Sequence, residues 1–203
     1  MRIYLVTDER LLLGKDLYRT VEAAVKGGVS MVQLREKESS TREFVERAIR
    51  LKEVLTPYGV PLIINDRVDV ALAANADGVH VGQSDMPYEM VKRLLPEGKI
   101  IGLSVESPEQ VLEANNYDLD YVAASPVFST TTKTNTIVEW GLDGLRWIRS
   151  VSRHPLVAIG GIHSNNVASI CKAGADSVAV ISAIVSADDP ERAARELLEK
   201  SGE

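Results

Sequence analysis

The chain has 203 residues, of which 45% are apolar and 26% charged, a balance that fits one globular domain (1–203) with a sizeable core. Lys and Arg number 23 against 29 Asp and Glu, a formal charge of −6, which argues against nonspecific nucleic-acid binding and requires any anion site to gather its positive charge locally. The single cysteine, Cys171, excludes an intrachain disulfide, and no apolar run reaches the length of a membrane span or signal peptide, so a cytoplasmic protein without a membrane partner is expected.

Short β-rich runs recur along the chain: Ile3–Thr7, Met31–Arg35, Pro61–Asn65, Gly78–Val81, Ile100–Ser104, Tyr121–Ala124, Pro155–Ile159 and Ser177–Ile181. They are mostly continuous rather than alternating in hydrophobicity, which suits parallel strands buried on both faces. Amphipathic stretches follow most of them. Thr41 is placed to cap a helix through Leu55, and Pro87 to open one running to Leu95. Ser107-Pro108-Glu109 has the order of a helix start, Ser164 or Asn165 opens the next, and Asp189-Pro190-Glu191 opens the last, through Leu198. Strand–helix alternation repeated eight times predicts an α/β protein, a single (β/α)₈ TIM barrel, rather than an open doubly wound sheet. One connection, 125–141, is long and irregular, as functional loops often are.

In such barrels the active site lies at the carboxyl ends of the strands, and the unusual polar residues fall there. Gln33, Arg35 and Lys37 alternate along the end of the second strand, so an extended chain points them to one side. Arg35 offers a planar fork to phosphate oxygens and Lys37 a point charge; the alternative is a solvated strand end salt-bridged to Glu36 and Glu38. Asp66 and Asp85 follow neighbouring strands and are candidates to share one Mg²⁺, unless each caps the next helix. Ser104 is a hydroxyl ligand or a helix-start residue. Thr130, Thr131, Thr132 and Lys133 supply hydroxyls and a cation suited to phosphate, or form a threonine-rich surface loop. Gly160-Gly161 after the seventh strand, and Ile181-Ser182 leaving the eighth, fall at the usual phosphate site of these barrels; the alternative is that the glycine pair only forms a turn. His80 reads as structural, His154 and His163 as surface or loop residues, Cys171 as a small core residue, and Trp140 as an anchor for the long loop. Neither a Ser/His/Asp order nor a zinc spacing stands out.

Six segments resemble the thiamine phosphate synthase family: Val32–Lys37 (VQLREK), Ile64–Ala73 (INDRVDVALA), Ala76–Pro87 (ADGVHVGQSDMP), Pro126–Lys133 (PVFSTTTK), Val157–Ile162 (VAIGGI) and Ala173–Ile184 (AGADSVAVISAI). The resemblance implies joining of an aminopyrimidine methyl diphosphate to a thiazole phosphate, with Mg²⁺ required and pyrophosphate released. It implies pyrimidine diphosphate contacts from Gln33, Arg35, Lys37, Asn65, Ser104 and Lys133, and Mg²⁺ ligation by Asp66 and Asp85. It implies thiazole phosphate contacts from Thr130, Thr132, Gly161, Ile181 and Ser182. Closure of the long loop over the site is a further expectation. Ser125 and Ser177 stand where the family commonly has glycine. The alternatives are a thiazole tautomerase-like isomerase, a sugar-phosphate enzyme using Lys37 as a Schiff-base amine, and a noncatalytic binder of thiazole phosphate. A homodimer is the expected assembly to test.

Overall fold

The structure, a computed structural model, describes residues 2–129 and 139–202. Among these, eight parallel strands close into a barrel in sequence order: β1 (Arg2–Val6), β2 (Val29–Leu34), β3 (Leu62–Asn65), β4 (Gly78–Val81), β5 (Ile100–Val105), β6 (Tyr121–Ala124), β7 (Leu156–Ile159) and β8 (Ser177–Val180). Helices follow the strands: α1 (Leu17–Lys26), α2 (Thr41–Leu55), α3 (Val68–Ala73), α4 (Tyr88–Leu94), α5 (Pro108–Ala114), α6 (Gly141–Val151), α7 (Val167–Lys172), the short α8 (Ser182–Val185) and α9 (Pro190–Lys200). No helix among the described residues is long and apolar enough to cross a membrane.

The period-2 geometry of strands explains how one apolar run serves two cores. Ile3, Leu5, Val32, Leu34, Leu62, Ile64, Val79 and Val81 face outward and pack under the helices in one large cluster. Tyr4, Val6, Ile63, Tyr121, Ala123, Val157 and Ala179 form a second, smaller cluster that fills the barrel interior. Polar side chains on the inward set therefore sit inside the barrel rather than in solvent.

Two helix starts differ from expectation. The cap of α2 is Ser40, not Thr41: Ser40 Oγ accepts the Glu43 N–H, and the Glu43 carboxylate accepts the Ser40 N–H at 2.9 Å, a reciprocal capping box. Ser40→Ala should cost about 1 kcal/mol in urea unfolding, against less than about 0.5 kcal/mol for Thr41→Ala; equal costs would contradict the capping box. The seventh helix begins at Val167, beyond the expected Ser164 or Asn165, and follows Asn166, whose side chain accepts the His163 N–H and donates to the Gly161 carbonyl at 2.8 Å. Asn166 thus braces the loop rather than capping the helix.

Candidate active site at the carboxyl ends of the strands

A cavity of about 790 Å³ opens at the carboxyl ends of the strands, and Gln33, Arg35, Lys37, Asn65, Asp66, Asp85, Ser104, Gly161, Ile181 and Ser182 all line it. The fold thus gathers residues that lie about 150 positions apart in sequence. Gln33, Asn65 and Ser104 are buried members of the inward-facing strand positions. Ser104 lies within β5, and the hydroxyl that caps α5 belongs to Ser107, so the helix-start reading of Ser104 is wrong. Thr130, Thr131, Thr132 and Lys133 lie outside the described residues.

Beyond β2 the chain leaves the sheet, and Arg35 and Lys37 are held by ion pairs of their own. Arg35 Nη1 donates to Asp8 Oδ2 at 2.8 Å, while the other Asp8 oxygen accepts the Arg10 N–H and caps the 3₁₀ turn Glu9–Leu12. Lys37 Nζ donates to Asp66 Oδ2 at 2.6 Å. The alternative pairing of Arg35 and Lys37 with their neighbours Glu36 and Glu38 does not form: Glu36 binds Arg47 at 2.9 Å, and Glu38 binds Arg10. Both cations are thereby held at the rim of the cavity.

The capping alternative for the two aspartates fails as well. Asp66 takes a left-handed backbone, φ +63°, before α3, which has no side-chain cap. Such a backbone is uncommon for a non-glycine residue and persists only where the surroundings impose it. Asp85 accepts the Gly82 N–H at 2.7 Å within the loop after β4, and α4 starts at Tyr88, with Pro87 at its cap position and no side-chain cap. Burial, and next the adjacent Asp66 carboxyl, push the Asp85 carboxyl above the ordinary aspartate range, against the opposing pull of the Gly82 N–H and Lys37. Two carboxylates side by side repel each other unless a cation lies between them. Among the described residues no third Asp, Glu, His or Cys joins them in a metal-binding group.

At the opposite side of the cavity, Gly160 and Gly161 both have positive φ, +102° and +65°. A Cβ on Gly160 would lie 2.6 Å from Pro126 Cβ, and one on Gly161 would lie 2.8 Å from Phe128 Cβ. The pair is therefore glycine because the start of the long connection packs on it, a reason the sequence does not show. Val127 N donates to the Ile159 carbonyl at 2.8 Å and Phe128 N to that of Gly160 at 3.2 Å. The end of the same connection is tied down by Trp140, whose Nε1 donates to the Val105 carbonyl at 3.2 Å and whose ring stacks on Trp147. Gly161→Ala should destabilise the protein by at least about 1–2 kcal/mol, the cost of a left-handed alanine, plus the displacement of Phe128. Gly141, φ +57° with open space around it, is the control; a Gly141→Ala loss as large would remove the packing argument.

Three interior residues were not anticipated as site residues. Tyr4, His80 and Tyr121 lie beneath the polar set, and Tyr4 and His80 line the cavity. His163, expected as a loop residue, also borders the cavity. His154, expected at the surface or in a loop, lies in the connection before β7 but is buried, bonded to the Leu119 and Ala114 carbonyls at 3.1 and 2.9 Å. Ser177 donates to the Arg2 carbonyl at 2.8 Å, across the β1–β8 seam that closes the barrel. Its hydroxyl thus adds a bond that a glycine at this position would lack.

A family model described as thiamine monophosphate synthase matches residues 3–184. The thiamine-phosphate synthase of Albidiferax ferrireducens is 53% identical over 190 residues, covering 94% of this chain and 87% of that one. That of Vibrio campbellii is 50% identical over 197 residues, covering 97% and 96%. The solved thiamine phosphate pyrophosphorylase of Pyrococcus furiosus superposes with a TM-score of 0.89 at 41% identity, covering 98% of this chain and 94% of that one. The chain belongs to the thiamine monophosphate synthase family.

Proposed function

We propose that this protein is a transferase that joins an aminopyrimidine methyl diphosphate to a thiazole phosphate, giving thiamine phosphate and pyrophosphate. Family membership supports the reaction, and one observation supports its placement: the cavity has two unlike ends. One end carries Arg35, Lys37, Asp66 and Asp85; the other carries Gly161, Ile181 and Ser182 at the strand 7 and 8 loops. A leaving diphosphate fits the first end and a retained monophosphate the second.

Asp66 and Asp85 fit Mg²⁺: they are hard-oxygen donors, adjacent, and mutually repulsive without a cation. Diphosphate oxygens and water would complete the shell. The bound ion would supply charge neutralisation at the departing diphosphate. Arg35 and Lys37 add fixed positive charge to the same oxygens, with Lys133 assigned there by resemblance. Gln33, Asn65 and Ser104 hold the pyrimidine ring, and Gly161, Ile181 and Ser182 the thiazole phosphate, to which the resemblance also assigns Thr130 and Thr132. The carbon–oxygen bond to the diphosphate breaks, leaving a pyrimidine methylene cation stabilised by its ring amino group. The thiazole nitrogen then donates its electron pair to that carbon. This sequence requires no enzyme nucleophile; positioning and electrostatics carry the step.

Residues 1–203 are taken as one catalytic unit of the cytoplasm, with small molecules rather than nucleic acid or membrane as partners, and with a homodimer as the assembly to test. The isomerase and noncatalytic alternatives have no support from the comparisons. Incubating the protein with Mg²⁺ and both phosphorylated heterocycles, and following phosphorus by NMR, should give pyrophosphate and thiamine phosphate in equal amounts. Unchanged substrates under every metal condition would overturn the assignment.

A further inference from the structure

A continuous hydrogen-bonded chain crosses the barrel interior below the cavity. Gln33 Nε2 donates to Tyr4 Oη at 2.6 Å, and Tyr4 Oη meets Tyr121 Oη at 2.9 Å. Tyr121 Oη meets His80 Nδ1 at 3.0 Å, and His80 Nε2 meets Ser104 Oγ at 2.8 Å. The five residues come from β2, β1, β6, β4 and β5. Space is made for the chain: Gly102 pairs with Tyr121 across the β5–β6 ladder, and a Cβ there would lie 2.1 Å from the phenol Cζ. A side chain at 102 and the phenol at 121 cannot coexist in this position.

Counting protons gives the chain a direction. An amide nitrogen only donates, so Tyr4 Oη accepts from Gln33. Burial pushes both phenols well above the ordinary tyrosine range, so each keeps its one proton. A buried phenol proton without an acceptor is costly, and the one arrangement of this chain that uses both phenol protons has Tyr4 donating to Tyr121 and Tyr121 to His80 Nδ1. An Nδ1 that accepts leaves the imidazole neutral with its proton on Nε2, which donates to Ser104 Oγ. The Ser104 proton is then turned outward, toward the cavity that Ser104 lines.

We propose that Tyr4, Tyr121 and His80 are positioning residues that fix the Ser104 hydroxyl as a hydrogen-bond donor to an acceptor atom of the substrate ring. The identity of that acceptor, a ring nitrogen of the aminopyrimidine, rests on the proposed function; the direction of the chain does not. A hydroxyl free to rotate accepts or donates equally well. One held in this way selects rings that present a lone pair at that point over rings that present an N–H.

The direction is read without substrate. The chain has three histidines, so nitrogen-15 histidine spectra of the whole protein at pH 7.5 are readily assigned with a His80→Gln variant. His80 should be the neutral Nε2–H tautomer in the wild type, and Tyr121→Phe, which removes the donor to Nδ1, should shift it toward a tautomer mixture. A wild-type Nδ1–H tautomer or an imidazolium would reverse or break the chain and overturn the proposal. The functional half is read by a double-mutant cycle. Tyr121→Phe should reduce kcat/KM for the pyrimidine diphosphate about 10–100-fold, as outer partners of a binding group do, and leave thiazole phosphate affinity within about 3-fold. In a Ser104→Ala background the same change should cost almost nothing, because its effect passes through Ser104. Additive losses would assign Tyr121 a merely structural role. If the wild type forms no thiamine phosphate the proposed function fails, while the tautomer measurement still decides the direction of the chain.

Discussion

Asp85→Ala and Asp66→Ala should each lower Mg²⁺-dependent turnover on the order of 10²–10³-fold, the scale expected when charge stabilisation at the reacting group is lost. Each change removes one of two neighbouring carboxylates in the cavity lining that also holds Arg35 and Lys37. The two are not equivalent in the metal-free protein. Asp85 is held above the ordinary aspartate range by burial and by Asp66, so its charge is unfavourable in the folded state. A raised carboxyl pKa means that the folded state binds protons more readily than the unfolded state. This contribution to stability is greatest below the unfolded pKa and is lost as pH rises through the folded pKa. Asp85→Asn removes the charge and retains an oxygen for the Gly82 N–H. Metal-free Asp85→Asn should therefore melt no lower than the wild type at pH 7, while the wild type alone gains strongly from Mg²⁺. Asp66→Asn lacks that advantage, because it deprives Lys37 of its 2.6 Å partner. Turnover near wild type in both alanine variants would remove the metal assignment. A lower metal-free melting temperature for Asp85→Asn would remove the electrostatic argument.

The second large effect belongs to Arg35. One edge of its guanidinium is committed to Asp8 at 2.8 Å, which orients the fork at the rim of the cavity. Preorganised charge of this kind costs no reorganisation as the diphosphate departs. Arg35→Ala should slow the single-turnover step on the order of 10²–10³-fold and leave thiazole phosphate affinity within about 3-fold. Arg35→Lys should recover only part of the rate, because an ammonium cannot bind Asp8 and a phosphate in the same planar arrangement. A comparable loss in thiazole phosphate affinity, measured by calorimetry, would place Arg35 at the wrong end of the cavity.

The barrel itself was legible because its strands are buried on both faces and read as apolar runs; Gly78–Val81 and Tyr121–Ala124 match the observed strands end to end. Gln33, Asp66, Asp85 and Ser104 are polar residues at or just beyond the carboxyl ends of such runs, which marks them in the sequence, while Asn65 is marked only by the family resemblance. Tyr4 and Tyr121 did not stand out, since a tyrosine in an apolar strand looks like any core aromatic. Their partners lie on other strands, at separations of 29, 41 and 117 residues, and only the register of a closed barrel brings them together. Gly102, a glycine inside the β5 run, was the one local sign that something large crosses there. The burial of loop residue His154 is hidden in the sequence for a similar reason, because its carbonyl partners at 114 and 119 belong to the preceding unit. The Gly160-Gly161 pair was noticed for phosphate, yet its lack of side chains is already required by Pro126 and Phe128. Asp66 carries a backbone conformation that no sequence pattern announces.

The division of one cavity into a metal-dependent diphosphate end and a metal-independent monophosphate end is tested most directly by calorimetry of each substrate alone, with and without Mg²⁺. Mg²⁺ should tighten binding of the pyrimidine diphosphate at least about 10-fold, and Asp85→Ala should abolish that gain. Binding of the thiazole phosphate should change by less than about 3-fold under the same conditions, since phosphate sites at the strand 7 and 8 loops use backbone N–H groups. Equal Mg²⁺ dependence for the two substrates, or dependence confined to the thiazole phosphate, would contradict the division.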